Sequence, residues 1–309
     1  MSAAGPQLPP LPGDADLARI ETAALELARL AGAEILAALE REIIVEYKDE
    51  PSRGRPPTNP VSEVDRAVEQ LIRQLLDERF PSHGVVAEEM DLHPDPNAEF
   101  VWAVDPVDGT MNFVNGFPLF ASSIGVLHHG RPVAGAIWCS TGHELRPGVY
   151  HARRGGGLQF EQRPVPRGRP SVGVTRRLSA GPGGMRWRPP STDGRTTGSA
   201  AIECAFAAAK VFASTLFWSP SIWDVAAGVT LVQAGGGVVR THGPDGWQPF
   251  ERFEAPSRVK EDRAPTLRDW RRPLAMGSPE TIEELTRIAQ PPRRPWWARL
   301  RPGARRRRR

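Results

Sequence analysis

Asp105 and Asp108 stand three residues apart in "WAVDPVDGTMNFVNGFP", behind a short apolar run, with Gly109 and Thr110 directly after the second acid. Upstream, the run "GVVAEE" ends on Glu88 and Glu89; far downstream, Asp224 lies at the start of "SIWDVAAGVTLVQAGG". Every one of these acids adjoins apolar residues, where an unpaired carboxylate is costly to desolvate. Something must compensate them. Lysine is scarce and histidine forms no HExxH-type ligand pair, whereas carboxylates and backbone carbonyls suit hard cations such as Mg²⁺. Either acid pair alone reads equally well as exposed caps and turn formers, since DP and DG are ordinary turn dipeptides. The whole set in this order favours a cation site.

The elements that must position these acids follow from periodicity. From Asp16 to about Glu42 the apolar residues Leu17, Ile20, Ala24, Leu27, Ala31, Ile35 and Leu39 recur at three and four residues, a helical stripe. "EYKDEPSRGRPPTNP" is a loop by composition, and "SEVDRAVEQLIRQLL" resumes helical spacing with Ser62 as N-cap. After Pro81 the period changes: "GVVAEE" and "FVWAVD" have the form of buried strands with their polar chemistry at one end. A hairpin is expected around His129-Gly130 and a further strand pair in "GVYHARRGGGLQF". Residues 161 to 197, rich in Arg, Pro and Gly, give no assignment. "GSAAIECAFAAAKVFA" and "SIWDVAAGVTLVQAGG" read as helices, the second closed by a left-handed Gly235 or Gly236, and "TIEELTRIAQ" reads as the last helix. The alternation predicts layered helices and sheets.

With 309 residues, 39% of them hydrophobic, the chain can bury a sizeable core as one large domain or two packed subdomains. No run of about 18 apolar residues occurs, and the N-terminus is Pro/Gly-rich and acidic rather than leader-like, so a cytoplasmic location is expected. Cys139 and Cys204 each sit in an apolar segment and read as buried free thiols. The formal charge of +4 is unevenly spread: residues 291–309 hold nine Arg and no acid, and removing nine charges from +4 leaves −5 on the rest. That tail reads as solvated, or as an electrostatic tether to nucleic acid or an anionic surface, with Trp296 and Trp297 available to stack.

The blocks "AEE", "DPVDGTMNF" and "WDVAAG", in this order, resemble the inositol monophosphatase family of Mg²⁺-dependent, lithium-sensitive phosphatases, over about residues 15 to 290. The resemblance implies an α/β fold, a layered α/β/α/β/α sandwich of the inositol monophosphatase and fructose-1,6-bisphosphatase type. It implies a division into a flexible N-terminus (1–14), a phosphatase domain (15–290, with subdomains of about 15–170 and 171–290) and a basic tail (291–309). Carried over by position, Glu88, Asp105 and the Val107 carbonyl resemble the ligands of a first Mg²⁺, with Asp105 bridging to a second held by Asp108 and Asp224. Thr110 and Asp65 resemble the pair that polarises the attacking water, and with Glu88 they make up the implied catalytic set. Asp108, Gly109, Thr110, Gly198, Ser199, Ala200 and Asp224 are the implied substrate contacts. Lys48 falls near a loop lysine associated with a third, weaker metal, so two or three Mg²⁺ are expected.

The chemistry agrees with that assignment. Hydrolysis of a phosphate monoester demands little covalent work of a protein; rate comes from placing a water in line and neutralising charge on the phosphoryl and leaving oxygens. The expected partner is a small phosphorylated metabolite, such as an inositol monophosphate, fructose 1,6-bisphosphate, 3'-phosphoadenosine 5'-phosphate or histidinol phosphate. A homodimer is also expected by resemblance, and a partner- or RNA-binding role using the Arg-rich tail is the competing reading. The chain departs from the family pattern in three places: the long loop from Lys48 to Asp65, with Asn59 where an acid is common; Ser199 where threonine is usual; and Phe217, seven residues before Asp224, where inositol phosphatases usually carry a glutamate. A phenyl ring cannot accept hydrogen bonds from ring hydroxyls, so a flatter or more apolar leaving group suits Phe217 and Trp218, unless both are simply core residues.

Overall fold

The computed structural model of the chain describes residues 9–50, 56–91, 93–95, 98–166, 173–183, 188–259 and 261–291. The expected Arg-rich tail, with Trp296 and Trp297, lies outside the described residues, as does part of the Lys48–Asp65 loop.

The chain opens with helix α1 (Asp14–Ala38), which ends four residues before Glu42, and then β1 (Val45–Tyr47) pairs antiparallel with β2 (Pro60–Ser62). The pair flanks the segment expected to be loop throughout. Helix α2 (Glu63–Arg79) starts on Ser62, whose hydroxyl accepts from the Val64 and Asp65 amides while its own amide donates to Asp65 Oδ2 at 2.9 Å. This capping box is the reason the helix begins there.

A seven-stranded sheet follows: β3 (Gly84–Ala87), β4 (Phe100–Asp108), β5 (Ala121–His128), β6 (Arg131–Cys139), β7 (Gly148–Arg153), β8 (Gln159–Phe160) and β9 (Arg163–Pro164), adjacent in chain order. Only β3 and β4 run parallel; the rest are antiparallel. The β5–β6 turn is the expected hairpin, with His129 at φ 49° and Gly130 at φ 78°. Helix α3 (Thr110–Val114) is a single turn after β4.

The second sheet begins within residues 161 to 197, which periodicity left unassigned. Its strands are β10 (Arg177–Ala180), β11 (Thr192–Arg195), β12 (Phe212–Phe217), β13 (Val238–Gly243), β14 (Gly246–Pro249) and β15 (Leu274–Gly277), in the order β11-β10-β12-β15-β13-β14. Helices α4 (Ala200–Ala208) and α5 (Ile222–Ala234) lie between the sheets, and α6 (Pro279–Ile288) covers the far face. The reading of one helix through "AAAKVFA" is corrected here: α4 stops at Ala208, Lys210 turns at φ 62°, and β12 begins at Phe212. Both elements are buried, so an uninterrupted apolar run hides the boundary. Of the two glycines after α5, Gly236 is left-handed at φ 80°, while Gly235 stays right-handed.

Side chains along β4 alternate between two cores. Trp102 and Val104 pack with α1 and α2, while Val101 and Ala103 face α4 and α5. The layers are therefore α1/α2, seven-stranded sheet, α4/α5, six-stranded sheet and α6, the α/β/α/β/α sandwich expected. Helix α5 lies on two glycines of the sheet: a Cβ on Gly125 would meet the Ala227 amide nitrogen at 2.6 Å, and one on Gly135 the Ala227 Cα at 2.8 Å. That close approach brings the first turn of α5, and with it Asp224, down to the end of β4. Cys139 and Cys204 are buried free thiols. Among the described residues no helix is long and apolar enough to cross a membrane.

Candidate metal centre

In a regular strand, residues three apart point to opposite faces. Asp105 pairs with Ser123 and Asp108 with Ala121, so β4 spends three steps where β5 spends two. The extra residue is a β-bulge, and it turns Asp108 to the face that Asp105 already uses. Pro106 has no amide to lose from the ladder in this bulge. Both carboxylates thus face the N-termini of α4 and α5. Ligand oxygens of Asp105, Asp108 and Asp224 all lie within 4.8 Å of one another.

Each acid is held differently. Asp108, 7% exposed, caps α4: it accepts from the Ala201 amide at 2.8 Å, the Ala200 amide at 3.2 Å and the Ser199 hydroxyl. Asp224 accepts from the Ser221 amide at 2.8 Å in the first turn of α5, and the Ser123 hydroxyl ties that turn to the sheet by donating to the Trp223 carbonyl at 3.1 Å. Asp105 is 2% exposed, and its Oδ1 is buried with no hydrogen-bond partner. An orphaned carboxylate oxygen among two other carboxylates is untenable as an anion unless a cation joins it or a proton does. Burial, reinforced by the charges of Glu88 and Asp108, drives the Asp105 carboxyl well above the usual range. Burial, with Asp108 close by, lifts Asp224 to about 8; Asp108 itself rises to about 6, burial outweighing its hydrogen bonds to Ser199, Ala201 and Ala200. The donor set, all carboxylate and carbonyl oxygen, suits a hard divalent cation.

Beside the triad, Thr110 Oγ1 lies 3.0 Å from Asp65 Oδ1 and 2.9 Å from the Val107 carbonyl oxygen. Gly109 makes this turn at φ 85°, and a Cβ there would stand 3.1 Å from both the Leu119 carbonyl and Ser199. Asp65 is fully buried within the α2 cap, and that burial raises its carboxyl in spite of the bonds from Ser62 and Thr110. Gly198, Ser199 and Ala200 lie beside this group, Ser199 and Ala200 through Asp108 and Gly198 at φ 81° against Asn112.

Glu88 is the exception. It follows β3 beside the triad but outside the group of close ligand oxygens, and its Oε1 accepts from Lys48 Nζ at 2.8 Å. The same ammonium lies 2.8 Å from Glu89 Oε1, so Lys48 belongs to the site despite its long loop. Burial lifts Glu89 to about 7, with the Lys48 bond opposing.

Several residues that sequence reasoning left unassigned complete the surroundings. Glu69 on α2 accepts from the Glu89 and Met90 amides at 2.8 and 2.9 Å, and Arg268 binds the Ala87 and Glu88 carbonyls while its guanidinium stacks on Trp223 at 4.9 Å. Asn112 joins the α3 turn to the 197–199 loop, donating to the Leu119 and Thr197 carbonyls at 2.6 and 2.8 Å. Glu203 accepts from the Thr197 amide and hydroxyl and from the Thr215 hydroxyl, and burial lifts it to about 7. Its signal was legible, a lone acid within "AIECAFAAA"; Arg268 left none.

A five-layer sandwich that gathers three carboxylates where the seven-stranded sheet meets the N-terminus of α5 defines the class of layered α/β/α/β/α folds with an acidic site. Within it, the chain belongs to the inositol monophosphatase family, whose sequence profile matches residues 16–269. It is 28% identical over 235 residues, 69% of this chain and 82% of the relative, to a fructose-1,6-bisphosphatase/inositol-1-monophosphatase of Aquifex aeolicus. It is 29% identical over 238 residues, 70% of this chain and 83% of the relative, to the Nus factor SuhB of Pseudomonas aeruginosa. In fold it matches an inositol monophosphatase structure from Thermotoga maritima with a TM-score of 0.66 over 88% of this chain and 96% of that one, at 20% identity.

Proposed function

We propose that the protein is a Mg²⁺-dependent phosphomonoesterase acting on a small phosphorylated metabolite. The observation that carries the reading is the unpartnered Oδ1 of buried Asp105, within 4.8 Å of two further carboxylates. Asp105, Asp108, Asp224 and the Val107 carbonyl would hold two or three Mg²⁺, joined by Glu88 once Lys48 releases it. When bound, the cations supply positive charge to the phosphoryl and leaving oxygens and acidify the attacking water.

The chain's own groups do the rest. Thr110 has one hydroxyl proton and two acceptors in reach, Asp65 and the Val107 carbonyl. Were that carbonyl to hold a cation, the hydroxyl proton would go to Asp65, and the Thr110 oxygen would be free to accept from the attacking water and aim it. The left-handed Gly198 turn and the N-terminal end of α4, whose first amides are held by Asp108 and Ser199, would border the place of the phosphoryl group. Lys48 neutralises Glu88 and Glu89 while no cation does so. Phosphate release from inositol 1-phosphate, fructose 1,6-bisphosphate, 3'-phosphoadenosine 5'-phosphate and histidinol phosphate, with Mg²⁺ and with chelator, tests the reading. Turnover of at least one ester only with Mg²⁺, suppressed by millimolar-scale Li⁺, is the expected result; equal turnover in chelator contradicts it.

A second reading rests on the relative called a Nus factor: the fold would serve as a scaffold for RNA or protein partners, with the Arg-rich residues 291–309 as tether. The two readings are compatible. Removing residues 291–309 separates them, because phosphatase activity survives the deletion and a tail-borne association does not.

A further inference from the structure

Next to Asp224 and Ser199 a cavity of about 310 Å³ opens between β12 and the loop before α4. Its walls include Leu216, Phe217, Trp218, Pro182 and Pro220. Phe217 and Trp218 are only half-buried, so neither is a closed core residue, and Trp218 is braced from behind by Trp247, with ring centroids 6.4 Å apart. Of the polar side chains that border the same space, Thr196, Ser199 and Glu203 are already engaged, Ser219 lies at the exposed rim and Asp224 faces the acid cluster. Thr196 donates to the Gly181 carbonyl at 3.0 Å, Ser199 to Asp108, and all three donors around Glu203 come from Thr197 and Thr215. A polyol entering here would exchange water for aromatic carbon at most of its hydroxyls, at a cost for each unpaired group. A flat ring has fewer polar groups to desolvate and would gain contact with the aromatic carbon of Phe217, which packs toward the core between the sheets, and of Trp218, which packs toward the α6 side. The volume is at the small end of the range for ligand pockets, about 300–1,000 Å³, which fits one nucleoside-sized group.

Resting on the phosphatase reading above, we infer that the preferred substrates are monophosphate esters whose leaving alcohol carries a flat aromatic ring, and that Phe217 and Trp218 set this preference. The shared chemistry is the ring. An imidazole and a purine are its two plausible carriers, and separate arms of one experiment tell them apart.

The test compares kcat/KM for histidinol phosphate and 2'-AMP with that for inositol 1-phosphate and glycerol 2-phosphate, in the full-length chain with Mg²⁺. The ring-bearing esters, one or both, should exceed the polyol esters by about tenfold or more, a difference of about 1.4 kcal/mol. Phe217→Ala and, as a gentler change, Phe217→Leu should remove that advantage by lowering the ring-bearing esters alone, with the melting temperature checking that each variant is folded. Equal or better turnover of the polyol esters by the wild type overturns the inference while leaving the phosphatase reading intact. An equal fall for both classes in Phe217→Leu overturns it as well. Inactivity toward every ester, 4-nitrophenyl phosphate included, is the failure of the phosphatase reading itself and takes this inference with it.

Discussion

At the scale of single residues, Asp105 is the most informative position. Its buried, unpartnered oxygen makes the cation-free protein strained, so Asp105→Asn should raise the melting temperature in chelator while abolishing the stabilisation that Mg²⁺ gives the wild type. Calorimetric melts of both proteins with and without Mg²⁺ check this. Thr110→Ala should lower kcat by about 10²–10⁴ if Thr110 aims the water, with Mg²⁺ affinity nearly unchanged. A loss of metal affinity with no fall in kcat at saturating Mg²⁺ would place its role at the Val107 carbonyl instead. The pH dependence follows from the same carboxyls. Asp224 rises to about 8 and Asp108 to about 6, so in the cation-free state the folded chain binds more protons than the unfolded one above about pH 4. Stability therefore falls as pH rises from about 4 to about 8, because the slope of unfolding free energy with pH is negative wherever the folded state holds the extra protons. Melting temperatures in chelator should decline from pH 5 to 9, and Mg²⁺ should flatten the decline. A chelated protein that gains stability over that window would contradict the buried-acid account.

At the scale of elements, the site depends on two devices. They are the bulge in β4 and the seat of α5 on the sheet, and neither was legible in the sequence, although the elements that carry them were. The strand ends, the Ser62 cap and the start of α5 could be read because each carries a local signal: an apolar run closed by acid, a serine followed by Asp65 three residues on, a tryptophan-aspartate pair opening a helix. The bulge between Asp105 and Asp108 could not, since a spacing of three alone puts the two side chains on opposite faces and only pairing with β5 shows the extra residue. The second sheet was hidden for a related reason. Its strands β10 and β11 are short and interleaved with Arg, Pro and Gly, and β12 continues an apolar helix without a polar break. Lys48 and Arg268 reach the site by tertiary folding, and no local pattern marks Arg268. The second device, the seat of α5 on Gly125 and Gly135, gives a prediction of its own. Gly135→Ala should cost about 1–3 kcal/mol of stability by lifting the helix. It should also weaken Mg²⁺ binding by moving Asp224. Denaturant melts and metal titration read both effects, and unchanged affinity in a destabilised variant would mean that the first turn of α5 is fixed by Ser123 alone.

At the scale of the whole molecule, two sheets and five layers converge on one end. The N-termini of α2, α4 and α5 all present capped acids there. Each cap is an ordinary device for ending a helix, and their convergence gives them a further use: positive helix ends surround acids that are themselves poised for cations. Beside them lies an apolar cavity walled by Phe217 and Trp218, so the phosphoryl group and its leaving alcohol would occupy surroundings of opposite character. All of this depends on Asp105, Asp108 and Asp224 forming a cation site. Isothermal calorimetry of Mg²⁺ binding at pH 7, repeated in buffers of different ionisation enthalpy, tests it most directly. Binding should be accompanied by proton release, since a carboxyl raised to about 8 must give up its proton to ligate, and both should be lost in Asp105→Asn. Binding without proton release, or binding that survives Asp105→Asn unchanged, would contradict it.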